Sequence, residues 1–185
     1  NLARGYKAGG FNTSTIQPAF DPETLTAYEL GLKTTARNRR LRANVSVFQY
    51  DYENLQLNTP PTDAPAGTFP RVINAARSSI RGADAELALR SSSGAFGVSL
   101  AATLLDARFE RFKSLDPNNP GVDPDRSGNR MPQAPKVSAS VAADYRWALA
   151  RGTLSMGGEY RRQSAVSFTI YEDDALRVGG YGLLN

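Results

Sequence analysis

The chain has 185 residues, room for a single domain, with 41% hydrophobic residues and a mean hydropathy of -0.41. It has neither cysteine nor histidine, which removes disulfide frameworks, zinc sites and every nucleophilic mechanism that needs a Cys or a His base. The net charge of +4, from 18 Arg and 4 Lys against 18 acids, is a mild and scattered excess without a recognition motif, so nucleic acid is not an expected partner.

No stretch suits a membrane helix. The longest uncharged run, Ser91 to Leu105, is 15 residues, short of the roughly 20 apolar residues needed to cross a bilayer. A barrel strand hides its membrane signal, because only every second residue faces lipid and the hydropathy average looks soluble. Asn1 to Phe11 lacks the apolar core of a secretory signal, as expected of a mature terminus or of a fragment.

In chain order, Leu2 to Lys7 reads as a first strand and Leu25 to Thr35 as a second. A helix competes over Leu25 to Leu32, where Thr26 and Glu29 match a capping box, but Gly31, Thr34 and Thr35 weaken it and a strand is preferred. From Leu41, Ala43, Val45 and Val47 share a face, until the bulk passes to Phe48, Tyr50 and Tyr52 while Gln49, Asp51 and Glu53 take over the first face. A bulge would cause this swap, and so would a strand rising past an aromatic girdle into solvent, which is the preferred account.

In Gly82 to Arg90, Ala83, Ala85, Leu87 and Leu89 oppose Asp84, Glu86 and Arg90, so one face meets water. Phe96, Val98, Leu100, Ala102 and Leu104 alternate with small residues. The cleanest period of two runs from Lys136 to Trp147, with Val137, Ala139, Val141, Ala143, Tyr145 and Trp147 opposite Ser138, Ser140, Asp144 and Arg146. Leu154, Met156, Gly158 and Tyr160 then oppose Glu159, Arg161 and Gln163, and Gly180 to Leu184 supplies a last strand. Tyr145, Trp147 and Tyr160 are candidates for interfacial aromatic girdles.

The links alternate long (Ala8 to Thr24), short (Ala36 to Arg40), long (Asn58 to Pro70), short (Ser91 to Gly94), long (Lys113 to Pro135), short (Ala148 to Gly152) and long (Ser164 to Gly179). Eight antiparallel strands whose connections alternate in this way describe a transmembrane β-barrel segment, all-β and incomplete. A soluble sandwich does not demand the alternation.

Particular words then resemble the barrel of TonB-dependent outer-membrane receptors of the siderophore class. They are Arg4-Gly5-Tyr6-Lys7-Ala8-Gly9-Gly10-Phe11-Asn12, Pro22-Glu23-Thr24, Tyr28-Glu29-Leu30-Gly31-Leu32-Lys33, Phe48-Gln49-Tyr50-Asp51-Tyr52-Glu53-Asn54-Leu55-Gln56, Asn74-Ala75-Ala76, Gly128-Asn129-Arg130-Met131-Pro132 with Ala134-Pro135-Lys136, and Gly179-Gly180-Tyr181-Gly182-Leu183-Leu184-Asn185. The resemblance implies a barrel of about 22 strands closed by an N-terminal plug. Residues 1–185 would be part of its second half, without plug, TonB-contacting segment or closing C-terminal strands.

It further implies uptake of a ferric siderophore or another metal chelate, energised by the TonB complex through the missing plug region. Outer-membrane lipid and lipopolysaccharide are the surrounding partners. Asp84, Glu86, Asp144, Arg146, Glu159 and Arg161 would line the lumen, and the long links would lie outside the cell. A passive porin-like barrel and a secreted β-sheet adhesion or carbohydrate-binding protein are the alternatives.

Chemistry is expected to be binding, not catalysis, and no cofactor is expected. Asp123 to Gly128 starts like a calcium loop, but Ala134 stands where a bidentate Glu is needed. Glu172-Asp173-Asp174 has no recognisable acid/base partner. Arg71, Arg77, Arg126 and Arg130, in or beside the long links, are candidates to meet an anionic chelate or a lipopolysaccharide phosphate, although each is more simply a solvated or internally paired arginine. Tyr50, Tyr52 and Phe69 are candidates to stack on an aromatic chelator.

Overall fold

The computed structural model describes residues 1–12, 19–36, 38–59, 70–116, 118–119 and 121–185. The expected link Asn58 to Pro70 therefore lies mostly outside the described residues, as does the middle of Ala8 to Thr24.

Eight strands build one antiparallel sheet: β1 (Leu2–Lys7), β2 (Glu23–Ala36), β3 (Leu41–Thr59), β4 (Arg71–Arg90), β5 (Phe96–Arg111), β6 (Val137–Leu149), β7 (Gly152–Gln163) and, after two short strands, β10 (Tyr181–Leu184). Their spatial order is their sequence order, and the sheet does not close on itself. Leu25 to Thr35 is strand throughout, because β3 offers it thirteen consecutive partners from Thr24↔Glu53 to Ala36↔Leu41. A strand with an unbroken ladder to its neighbour outweighs a local capping box.

Register fixes which side chains share a face, since directly paired residues point the same way. One row runs Leu30↔Val47↔Ala83↔Leu104↔Val137, and another Leu32↔Val45↔Ala85↔Ala102↔Ala139. All ten are apolar, and Leu30, Leu32, Val45, Val47, Leu104 and Val137 are exposed. The opposite face carries rows such as Ser46↔Asp84↔Thr103↔Ser138 and Asn44↔Glu86↔Ala101↔Ser140. The spanning part of the sheet therefore has no core of its own. It is a single layer with one apolar and one polar side.

Pairing of β3 with both neighbours is unbroken from Leu41 to Glu53, so no bulge causes the swap at Phe48. The strand leaves its apolar band there, as preferred from the sequence. Phe48, Tyr50 and Tyr52, however, lie on the polar-row side, and the polar Gln49, Asp51 and Glu53 continue the apolar face. The aromatics are thus not a girdle on the apolar side. Phe48 stacks on Tyr50 with ring centroids 5.0 Å apart, and its ring lies over Gly82, its partner on β4.

Two irregularities occur beyond this level. Asn54 takes a positive φ of 57° and resets the alternation, so that Leu55 and Leu57 join Tyr52 on one side. The register between β4 and β5 shifts between Arg77 and Ser78, leaving Glu110 as the extra residue. Here the true core assembles: Leu55, Phe109 and Phe112 are buried, with Tyr52, Leu57, Ile73, Met131 and Ile170 packed on them.

The long links fold onto this end of the sheet. Residues 125–136 run alongside β5 through bridges Arg108↔Arg130 and Lys113↔Asp125 and the bond from the Met131 N–H to the Ala107 carbonyl. The link Ser164 to Gly179, expected to be irregular, contains a ribbon of β8 (Val166–Ser167) and β9 (Arg177–Val178) closed by a 3-10 turn over Asp174–Leu176. The ribbon pairs backbone groups that would otherwise be left without partners where Val166 is buried. The link between β6 and β7 is tighter than expected, only residues 150–151.

A Cβ at Gly82 would overlap the Phe48 ring and stand 2.6 Å from the Leu104 carbonyl oxygen. Gly82→Val is expected to destabilise the folded barrel by about 1–3 kcal/mol through overpacking. Denaturant titration of the receptor in lipid vesicles measures this, and Gly5→Ala, where a Cβ meets nothing within 4 Å, serves as the less damaging reference.

Candidate functional site

The polar face is an array of neighbouring charges held by short contacts between or along strands. Asp84 accepts a hydrogen bond from Thr103 at 2.6 Å, and Glu86 accepts one from Asn44 at 3.0 Å. On β7, Arg161 and Glu159 pair at 2.8 Å along the strand. Asp144 receives Arg90 at 2.7 Å and lies 3.8 Å from Arg146. All six residues expected on the water-facing side, Asp84, Glu86, Asp144, Arg146, Glu159 and Arg161, do share one face.

The Arg90–Asp144 pair spans two strand spacings, with β5 between its partners. It exists because the intervening residue is Gly97: a Cβ there would stand 2.6 Å from both the Arg90 guanidinium carbon and an Asp144 carboxylate oxygen. Register puts Arg90, Gly97, Asp144 and Gly157 in one line. Beside it an open cavity of ≈ 700 Å³ is lined by Arg39, Arg40, Arg42, Asp144 and Glu159, among others. This end of the polar face is arginine-rich and adjoins the short links.

Girdle candidates fall at both limits of the apolar face. Tyr145 and Trp147 stand together, ring centroids 4.5 Å apart, at the short-link end of β6. Tyr160 stands at the opposite end of β7, over Gly182, which has no Cβ to obstruct its ring.

The four arginines proposed from the long links are not brought together. Arg71 heads β4 opposite Thr59. Arg77 pairs with Glu53 at 2.9 Å and lies 3.9 Å from Glu110. Arg130 reaches Asp106 at 3.4 Å. Arg126 is buried, only 7% exposed, its Nε donating to the Ser114 carbonyl at 3.1 Å and its guanidinium 5.2 Å from the Tyr171 ring centroid. It forms no ion pair among the described residues. The aromatic face of Tyr171 offsets part of the cost of burying that charge, by about 2 kcal/mol.

Around it, the hydroxyls of Thr59, Ser114 and Tyr171 form a triangle with sides of 2.8, 3.4 and 3.3 Å. These three come from the end of β3, the β5–β6 link and the β7–β10 link. No sequence signal announced them, because their positions are more than fifty residues apart. Of the proposed aromatic contacts, Tyr50 is engaged by Phe48, Tyr52 packs on the core, and Phe69 lies outside the described residues.

The acidic words are occupied by turns. Asp123 and Asp125 accept the N–H groups of Asp125 and Ser127, each at 2.9 Å. Hydrogen bonds from the Ser127 side chain and amide hold the Asp125 carboxyl below its ordinary range. Glu172 accepts from the Arg130 amide, and Asp173 caps the 3-10 turn through the Ala175 N–H.

A single-layer sheet with an apolar band edged by aromatics, a charged reverse side, tight turns at one end and folded long links at the other is the wall of a transmembrane β-barrel. Over residues 1–185 it matches the family model described as TonB dependent receptor-like, beta-barrel, and the chain belongs to that family. The family is one of bacterial outer-membrane transport receptors, not of enzymes.

Solved structures agree with the fold. The ferric yersiniabactin uptake receptor FyuA from Yersinia pestis superposes with a TM-score of 0.73 at 20% identity, covering 99% of this chain and 25% of its own. For BauA, the ferric preacinetobactin receptor from Acinetobacter baumannii, the TM-score is 0.70 at 19% identity, with 99% and 25% covered. The siderophore receptor PiuA, from the same organism, gives 0.68 at 22% identity, with 89% and 22% covered. The chain thus spans about a quarter of the length of these receptors.

Gly97→Val is expected to separate Arg90 from Asp144. In a double-mutant cycle, Asp144→Ala should cost up to about 1 kcal/mol in the Gly97 background and almost nothing in the Gly97→Val background. Equal costs in both would show that the pair is not bridged across Gly97.

Proposed function

We propose that this chain is part of the wall and surface loops of a TonB-energised uptake receptor for a ferric siderophore or similar metal chelate. The observation that carries the reading is the two-sided sheet: a continuous apolar face suited to lipid, backed by an ordered array of paired charges suited to a water-filled or plug-filled interior. Asp84, Glu86, Asp144, Arg146, Glu159 and Arg161 then line the lumen, and Tyr145, Trp147 and Tyr160 sit at the two membrane interfaces. The folded β5–β6 and β7–β10 links lie at the cell surface. They form a fixed rim because they share the Phe109–Phe112 core.

Within that rim, Arg126 is a structural arginine, held by Tyr171 and Ser114. Arg77 and Arg130 stand on the apolar side of the sheet, away from an incoming chelate. Arg71 pairs with Thr59, which faces the loop cluster, and that position makes it the arginine of the original four best placed to meet an anionic ligand. The plug and the remaining barrel strands belong to the longer receptor.

Cells producing the whole receptor are expected to accumulate radiolabelled iron from at least one of a panel of ferric catecholate, hydroxamate and carboxylate chelates under iron limitation. Uptake should fall to background when TonB is deleted. TonB-independent accumulation would instead mark a passive pore, and no uptake of any ferric chelate would remove iron from the assignment.

A lipid-facing band makes a second expectation. Leu100→Arg should destabilise the receptor in bilayers by about 2–4 kcal/mol, as charges do near the midplane on that face, while Ala101→Arg, one residue along and on the polar face, should cost far less. Equilibrium unfolding in vesicles measures both.

A further inference from the structure

Three arginines without an acid partner stand together at the short-link end of the polar face. Arg39 and Arg40 belong to the tight turn between β2 and β3, and Arg42 lies on β3, two residues along the same face from Asn44. All three are exposed, and none pairs with an acid among the described residues. The nearby acids are committed to other arginines: Asp144 to Arg90 at 2.7 Å, with Arg146 3.8 Å away, and Glu159 to Arg161 at 2.8 Å. Farther from the short links, Asp84 and Glu86 take only neutral donors, Thr103 and Asn44, and keep their negative charge.

The arginines border a recess. Register sets Arg42, Ala88, Ser99, Ala142 and Glu159 in one row from β3 to β7, so three short side chains form the floor between the arginine and the glutamate. Four strand spacings of ~4.8 Å separate the two ends of that row, about 19 Å. The cavity above it, ≈ 700 Å³, falls in the range of roughly 300–1,000 Å³ that holds small molecules. Its size suits a small anion, and its arginines suit one with paired oxygens, which a guanidinium grips bidentately and an ammonium does not. Exposed guanidiniums hold such an anion weakly and reversibly. Weak binding is what a place that cargo has to leave requires. The acids farther up the wall repel the same anion, so the field along the face draws it toward the short links.

We propose that Arg39, Arg40 and Arg42 form a low-affinity station for an anionic ferric chelate at the periplasmic end of the lumen, where cargo collects before release. The site rests on the reading of the polar face as the lumen of a chelate receptor.

The test uses the whole receptor and the arginine reagent phenylglyoxal, with modification at each residue read by peptide mass spectrometry. The ligands are ferric tris-catecholate, a trianion, and ferric tris-hydroxamate, which is neutral. At millimolar concentration the trianion is expected to slow modification of Arg39, Arg40 and Arg42 by at least about threefold, the mark of a site occupied most of the time. The neutral complex should leave these residues as reactive as before, and neither should protect Arg151, an exposed arginine of the β6–β7 link. High salt should abolish the protection. No slowing by the trianion, or equal slowing by both complexes, would overturn the site. Arg39, Arg40 and Arg42 already unreactive without chelate, while Arg151 reacts, would show them covered by another part of the receptor and overturn the chelate as occupant.

In cells, whichever anionic chelate of the panel above is imported should bind the parent and Arg39→Gln/Arg40→Gln/Arg42→Gln equally at the surface. It should enter about threefold more slowly through the variant, the kinetic size of losing exposed charge contacts. Equal rates of entry, or import confined to neutral chelates, would overturn the station. The protection assay needs no import, so a receptor that accumulates no ferric chelate, which sinks the uptake reading, is told apart from failure of the arginine site.

Discussion

Every backbone N–H and C=O that enters hydrocarbon must find its partner inside the protein, and between β2 and β7 the neighbouring strands supply it. That single requirement accounts for registers that stay regular through the apolar band from β2 to β7 and for the absence of any crossover in strand order. It also explains where the sheet is irregular. Asn54 and Glu110, the two departures from regular pairing, lie beyond the apolar band, where water or a side chain can satisfy a displaced backbone group. Strands β3, β4 and β5, at 19, 20 and 16 residues, exceed the roughly 9–11 that cross a bilayer. Their surplus carries Leu55, Ile73 and Phe109 clear of the band and supplies the chain's only cluster of buried apolar side chains among the described residues.

Because successive side chains point to opposite sides, the wall serves two solvents without compromise between them. On one side the work is done by bulk, with Leu100, Val141 and Leu154 needing no specific partner. On the other it is done by pairing, and pairing needs room. Gly97 shows how the room is made: the residue between Arg90 and Asp144 contributes nothing but the lack of a Cβ, and two strands that never touch become linked. The same economy recurs at Gly82 beneath Phe48 and at Gly182 beneath Tyr160, one on each face.

Much of this was legible in the sequence. Alternation in Lys136 to Trp147 and the strict succession of short and long links sufficed for the barrel, because both follow directly from the period of a strand and the topology of a meander. Leu25 to Thr35 was locally ambiguous, and only its pairing with β3 decides it. The swap at Phe48 comes without a bulge, and its aromatics face the other way from the girdle that the sequence suggested. Period alone names two faces and cannot say which one an aromatic run serves. The loop cluster was out of reach. Thr59, Ser114 and Tyr171 are unremarkable words in three separate links, and they acquire meaning only from contacts at long sequence separation. Arg126 and Arg130, four residues apart, turned out to serve different neighbourhoods for the same reason.

The ladder between β3 and β4 pairs eighteen residues of one strand with eighteen of the other, from Leu41↔Leu89 to Thr59↔Arg71. Its hydrogen bonds lie across the strand direction. A pull along the strand axis therefore loads many bonds together in shear, whereas a pull across the sheet would open them one at a time. A wall built in this way is mechanically stiff along its strands and compliant only at its seams.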